Sequence, residues 1–341
     1  IGAPNANYHK GTVENPANLW KFREGDPNPD ESRRVFPLAD DIRNCFGGVK
    51  VLVTNDANAA TIGEMIYGNA KGMRDFIMIT LGTGLGSGFV ANGEMIYGHD
   101  GFAGEFGHVI VERDGRECGC GRKGCLETYV SATGIKRTAF ELMAKMSAPS
   151  KLRDIAFGDF DASMISAAAE QGDPIALEAF RFTGEMLGRA LADVVTVTSP
   201  EAIFLFGGLS KAGKLIFEPT QWYMEENMLF AFKNKVKLLP SGIQGKNAAI
   251  LGASALQVVA HQRHGSLVAG LRGQFEQLAL LADKVAVRGE DMPDGLIAAC
   301  YARNLLDLGD PEVFAEPVFG LAAQHQDALR DLIGLFGSIV V

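Results

Sequence analysis

The run Ala202–Phe206, AIFLF, is apolar at every position and stops at Gly207-Gly208. A strand with no polar residue on either side must be covered on both faces, so helices have to pack above and below the sheet that contains it. The surrounding pattern supplies them. Asp173 followed by Pro174 is an N-cap and first-turn pair, and behind it Ile175, Leu177, Phe180, Met186, Leu187, Leu191, Val194 and Val195 populate a broad apolar face. Upstream, DFIMITLGTGLGSGFVANGEMIYG reads as two strands folded over a glycine hairpin. Before that, Val49–Thr54 reads as a buried strand, followed by a polar turn and a helix of small residues from Ala57 to Tyr67. Strands alternating with helices as far as residue 256 predict an α/β architecture in two lobes.

The ends differ from this pattern. GAPNAN and REGDPNPDESRRVFP carry turn chemistry, the first ahead of an edge hairpin and the second as a surface loop. Ile1-Gly2 reads as the end of a buried strand whose earlier half is absent, so an N-terminally incomplete lobe is expected. From Gln257 onward Ala and Leu dominate, and apolar helical patterns at Leu267–Val287, Leu296–Leu308 and Pro317–Leu335 predict a C-terminal α-helical segment. The expected division is therefore a partial small lobe over 1–70, a large lobe over 71–256 and a helical appendage over 257–341. Net charge is −9 with no basic run or stripe, which disfavours nucleic acid as a partner. Without an apolar run of roughly 18 residues or a signal peptide pattern, the expectation is a soluble, cytoplasmic chain away from membranes.

Glycine makes up 41 of 341 residues, and its excess lies in short loops. The loop Gly107–Cys125, GHVIVERDGRECGCGRKGC, combines glycines with one histidine and three of the five cysteines. The spacing His108-x9-Cys118-x-Cys120-x4-Cys125 matches the Cys3His set of a closed, four-coordinate structural zinc site, and Gly119, Gly121 and Gly124 let the thiolates converge. A disulfide would leave one of the three thiols unpaired; a redox site and inert loop cysteines are the other readings. Cys45 and Cys300 read as small buried or free thiols. Glu105 stands three residues before His108 and Glu127 two after Cys125, so the loop carries two carboxylates able to accept hydrogen bonds from polyol hydroxyls.

GFAGEFGHVIVERDGRECGCGRKGCLETYVS, together with NDANAA, TLGTGLGSG and FLFGGLS in that order, resembles the ROK family of repressors and sugar kinases, particularly its bacterial glucokinases. The likeness runs from Ile1 to about Leu256. It implies the two-lobed, actin-like or hexokinase-type ATPase fold with ribonuclease-H-like lobes, and ATP-dependent phosphorylation of a hexose, glucose at O6 being the leading substrate, as in glycolysis. It further implies Asp56 as the general base toward a sugar hydroxyl, with Asn55, Glu105, His108 and Glu127 as sugar ligands. His108 would give one ring nitrogen to zinc and turn the other to the sugar. Thr83 and Gly84 would meet ATP phosphates, Gly207 and Gly208 the adenosine, with ATP, Mg2+ and structural Zn2+ as cofactors and a homodimer as the usual assembly.

Two features depart from the family. Its opening Asp-x-Gly-Gly-Thr phosphate loop, whose Asp helps hold Mg2+, is absent from the 341 residues, and residues 257–341 resemble nothing in the family. Loss of those phosphate contacts implies sugar binding with weak or no phosphorylation. The alternatives to a kinase are accordingly a sugar-binding regulator of the same family and a catalytically silent sugar-binding fragment or fusion.

Overall fold

The computed structural model describes residues 1–14, 35–46, 50–156, 158–244 and 250–256. The three helical patterns expected beyond residue 257, Cys300 and most of the early Pro/Gly/Asp-rich loop lie outside these residues. Packing divides the chain into two units. One holds Ile1–Gly63, His99–Gly101 and the described residues from 246 onward; the other holds Glu64–Gly98 and Phe102–Gly245.

The first unit contains three short antiparallel strands in sequence order, β1 (Ala6–Asn7), β2 (Thr12–Glu14) and β3 (Val35–Phe36), followed by helix α1 (Leu38–Cys45). The β1–β2 pair is the hairpin expected after GAPNAN. Its turn is held by buried Asn7, whose Oδ1 accepts from the His9 and Lys10 amides and whose Nδ2 donates to the Asp100 carbonyl at 2.7 Å. Ala3, Ala6, Val13, Leu38, Val51 and Val53 form the core. The apolar run expected as a strand at 49–54 is buried there at Val51 and Val53, but it pairs through one parallel bridge, Gly2 to Thr54, instead of an extended ladder. Cys45 is free and exposed. Helix α2 (Asp56–Tyr67) begins in this unit.

The second unit is built on a five-stranded sheet of order β6-β5-β4-β7-β8: β4 (Phe76–Leu81), β5 (Leu85–Ala91), β6 (Glu94–Met95), β7 (Ala202–Phe206) and β8 (Lys237–Pro240). β4 is central, antiparallel to β5 from Phe76↔Val90 to Leu81↔Leu85 and parallel to β7 from Phe76↔Ala202 to Thr80↔Phe206. Because neither β4 nor β7 has a solvated face, four helices pack with the sheet: α3 (Ala132–Lys145), α4 (Ala162–Glu170), α5 (Pro174–Thr198) and α6 (Lys214–Asn227). The end of α2 is fastened by Glu64, a fully buried carboxylate that accepts from the Asn69 amide at 2.7 Å, the Ser241 hydroxyl at 2.5 Å and the Gly242 amide at 2.9 Å.

α5 begins as its cap predicts: Asp173 Oδ1 accepts from the Ile175 and Ala176 amides at 3.0 and 3.1 Å, and Pro174 fills the first turn. Its buried stripe includes Ile175, Phe180, Leu187, Leu191 and Val195. Leu177 is 41% exposed, since two residues past Ile175 lies on the opposite side of a helix with 3.6 residues per turn. Gly184 and Gly188 let α5 approach α6 closely; a Cβ on Gly188 would stand 2.6 Å from the Thr220 carbonyl oxygen and 2.8 Å from the Met224 nitrogen. Gly188→Ala therefore forces the two backbones apart and should lower stability by about 1–3 kcal/mol in urea unfolding, whereas an unchanged midpoint would contradict this packing.

Candidate functional site

Parallel pairing brings the ends of β4 and β7 level, so the loops that follow them, Gly82–Gly84 and Gly207–Gly208, lie side by side. In open α/β sheets ligands collect at this carboxyl end of the strands. Gly207 has φ +104 and a Cβ there would meet the Leu81 carbonyl oxygen at 2.5 Å, so conformation and space both demand glycine. At Gly208 nothing stands within 4 Å of a would-be Cβ, which leaves room beside the backbone. Ser210, whose hydroxyl donates to the Gly207 carbonyl at 2.8 Å, and Gln244, which donates to Ser210 Oγ at 2.9 Å, brace this turn.

The β4–β5 hairpin is clasped from one segment. The Ala132 amide donates to the Gly82 carbonyl at 2.9 Å, the Thr133 hydroxyl to the Thr83 carbonyl at 3.0 Å, and Glu127 Oε2 accepts from the Leu85 amide at 2.9 Å. Among the described residues the Thr83 and Gly84 amides have no partner, and Thr83 is exposed. Two adjacent backbone donors and a hydroxyl on a glycine turn are suited to an anion.

Ser87 on β5 ties the next segment in place: its hydroxyl donates to the Gly104 carbonyl and accepts from the Phe106 amide. That fixes the 3-10 turn Phe106–His108, with exposed Glu105 at its start. The structure brings the four expected metal ligands together. One donor atom each from His108, Cys118, Cys120 and Cys125 lies within 4.8 Å of all the others. Cys118 Sγ stands 3.7 Å from His108 Nδ1, and Cys120 Sγ 3.6 Å from Cys125 Sγ. Bonds of about 2.3 Å to sulfur and 2.0–2.1 Å to nitrogen at tetrahedral angles give donor separations of roughly 3.6–3.8 Å. The donor set therefore fits a tetrahedral ion with closed coordination.

The thiol chemistry points the same way. Burial, reinforced by the neighbouring thiols, pushes Cys125 up to about 12, and burial raises Cys118. At Cys120 burial opposes ionisation, but hydrogen bonds from Arg122 and the other thiols draw it down to about 6. Three thiols this close share their protons unevenly, and a cation is what would let all of them ionise.

His108 Nε2 lies 3.9 Å from Glu105 Oε2, so Nδ1 faces the thiols while Nε2 lies toward a carboxylate. Glu127 Oε1 is 3.8 Å from Cys118 Sγ. Glu105, His108, Cys118 and Glu127 thus form one continuous series. Asn55 and Asp56 belong to the first unit, at the start of α2. Asn55 does the capping, its Oδ1 accepting from the Ala57 amide at 2.8 Å and its carbonyl from the Ala59 amide at 2.8 Å. Asp56 is exposed, with Oδ1 also 2.8 Å from the Ala57 amide, and its negative charge complements the helix N-terminus.

The spacing gave no sign of Arg116. Its guanidinium, 7% exposed, donates to the Thr128 and Gly134 carbonyls, the Thr138 hydroxyl and both Glu141 carboxylate oxygens, and lies 4.5 Å from the Tyr129 ring centroid. It joins the start of the cysteine loop to the segment that carries Glu127. Ser131, which the sequence reading did not single out, caps α3 and supports the turn that carries Glu127: its hydroxyl accepts from the Gly134 amide and donates to the Glu127 carbonyl. Arg122 donates to the His108 carbonyl at 2.8 Å.

The model of the ROK family matches residues 25–259. The glucokinase of Halalkalibacterium halodurans is 39% identical over 194 residues, 56% of this chain and 58% of that protein. The glucokinase of Thermotoga maritima is 33% identical over 265 residues, 75% of this chain and 77% of that protein. The Bacillus subtilis xylose repressor is 27% identical over 230 residues, 67% of this chain and 56% of that protein. A solved ROK glucokinase of Streptomyces griseus, in complex with glucose and AMPPNP, superposes with a TM-score of 0.62 at 33% identity, covering 75% of this chain and 80% of that one.

Removing the guanidinium in Arg116→Met would take from the Thr128 carbonyl its Arg116 donor, from Thr138 a hydrogen bond and from Glu141 its partner. A loss on the order of 3 kcal/mol is expected in chemical denaturation. A change within about 0.5 kcal/mol would show that the loop does not depend on Arg116.

Proposed function

The chain belongs to the ROK family, and on that premise we propose that it is an ATP-dependent hexose kinase acting on glucose at O6, with Asp56 as the general base. The α/β architecture is the actin-like ATPase fold of the family's sugar kinases. The observation that carries the reading is the series Glu105, His108, Cys118, Glu127, which joins the proposed sugar ligands to a donor set fit for a structural metal and to a glycine hairpin with two amides unpartnered among the described residues. Glu105, His108 Nε2 and Glu127 accept or donate hydrogen bonds to ring hydroxyls. Asn55, whose side-chain oxygen is engaged as the helix cap, has its amide nitrogen for the sugar.

Asp56 accepts the proton of the attacking hydroxyl. An exposed carboxylate at a helix start can reach a substrate oxygen, and general-base assistance of this kind contributes about 10²–10⁴ in rate. Thr83 and Gly84 donate to the phosphates of ATP, and the open space beside Gly208 takes the adenosine. Zn2+ held by His108, Cys118, Cys120 and Cys125 would close the loop as scaffolding. Mg2+ accompanies the nucleotide as the charge-neutralising ion of phosphoryl transfer; no residue of this chain is assigned to it.

Identities of 33–39% to glucokinases against 27% to a xylose repressor favour a kinase over a regulator. A relative that is a repressor supports a second reading, a sugar-binding chain without phosphoryl transfer. Glucose-dependent ADP release separates the two. It is measured on the 341-residue chain and on the same chain carrying the family's strand and Asp-x-Gly-Gly-Thr loop ahead of Ile1. Turnover in either that falls by about 10²–10⁴ in Asp56→Asn, with glucose KM changed far less, is the expected result. Glucose binding without ADP release from either protein would leave the sugar-binding reading in place of the kinase.

A further inference from the structure

Glycine at position 84 is not required by its backbone. Its φ lies outside the left-handed region, unlike that of Gly207. Nor is a side chain excluded from the whole hairpin, since nothing stands within 4 Å of a Cβ built on Gly82. At Gly84, by contrast, a Cβ would fall 2.3 Å from Glu127 Oε2 and 3.1 Å from its carboxyl carbon. The carboxylate occupies the space that the missing side chain leaves. From there Oε2 accepts the Leu85 amide at 2.9 Å, the residue directly after Gly84.

The backbone that carries Glu127 is held in place, so any shift of this residue forced at Gly84 falls on its carboxylate. Glu127 sits in the 3-10 turn Leu126–Thr128, between buried neighbours, two residues after Cys125. Its carbonyl is held by the Ser131 hydroxyl at 2.8 Å, and Oε1 lies 3.8 Å from Cys118 Sγ. A methyl group on residue 84 would overlap Oε2 by about 1 Å relative to ordinary contact. Either the carboxylate rotates away and gives up the Leu85 amide, or the hairpin lifts from the segment that clasps it.

We propose that Gly84 and Glu127 interlock, so that Gly84 is a positioning residue for the Glu127 carboxylate and controls sugar affinity through it. The proposal rests on the reading of Glu127 as a sugar ligand and of the hairpin as a phosphate loop. It adds a direct connection between the two: the hairpin that meets the nucleotide also sets the carboxylate that meets the sugar. A substitution on the nucleotide side then acts on sugar binding even when no nucleotide is present.

The test uses the parent, Gly84→Ala, Glu127→Ala, Glu127→Gln and the Gly84→Ala/Glu127→Ala pair, each as purified and free of nucleotide. Glucose affinity is measured by calorimetry and Leu85 amide exchange by NMR. Gly84→Ala should weaken glucose binding about tenfold or more, while the pair should bind no more weakly than Glu127→Ala alone. Leu85 exchange should accelerate in Gly84→Ala and Glu127→Ala but stay slow in Glu127→Gln, which keeps an acceptor oxygen. Parental glucose affinity in Gly84→Ala, or the same penalty in both backgrounds, would overturn the interlock. So would a Leu85 amide that stays protected in Glu127→Ala, a measurement that needs neither a folded Gly84→Ala variant nor any sugar. Should the parent itself fail to bind glucose, the sugar reading falls, and Leu85 exchange still decides whether the interlock exists.

Discussion

Between Val109 and Cys125 the backbone forms two isolated bridges and no strand or helix, and it is here that donor atoms of Cys118, Cys120 and Cys125 meet that of His108. A segment with this little regular structure buries too little apolar surface to offset the entropy of ordering it. A metal held by these four donors would supply the missing cross-link, as structural thiolate sites do elsewhere. Arg116 and Arg122 then tie the loop to α3 and to the His108 carbonyl. On the proposed reading that cross-link would aim Glu105, His108 and Glu127, and the sugar site would take its rigidity from the ion.

The sheet supplies the second constraint. β4 and β7 run in register to the same level, which sets the Gly82–Gly84 hairpin beside Gly207 without any special device. Residues Glu127, Ala132 and Thr133 then grip the hairpin from the cysteine-loop side. Its carbonyls are consumed by the protein, while the Thr83 and Gly84 amides have no partner among the described residues. The same short stretch thus serves the metal loop, the hairpin and the cap of α3, so changes in any of the three should be felt by the others.

Much of this was legible because it is local. AIFLF declares a doubly covered strand by composition, Asp173-Pro174 declares a helix start, LGTGLGSG declares a hairpin, and the Cys3His spacing declares a ligand set. The four cysteine-loop donors do meet as the spacing implied. What escaped depends on partners far apart in the chain. Arg116 meets Glu141 across 25 residues, Glu127 meets Leu85 across 42, and Asn7 meets Asp100 across 93. None of these pairs has a periodic signature. Leu177 was misread because an apolar residue can stand on a solvated helix face, and the strand at 49–54 because burial does not dictate ladder length. The reason for glycine at 84 was invisible for the same cause: the atom that forbids a side chain belongs to residue 127.

The dependence of the sugar site on its cross-link can be measured directly. Glucose is titrated calorimetrically into the zinc-loaded protein, into the same protein stripped by a thiol-competing chelator, and into the stripped protein after zinc is restored. The account predicts an affinity loss of about tenfold or more on stripping and recovery as zinc returns to one ion per chain. Equal glucose affinity in the loaded and stripped proteins would contradict it.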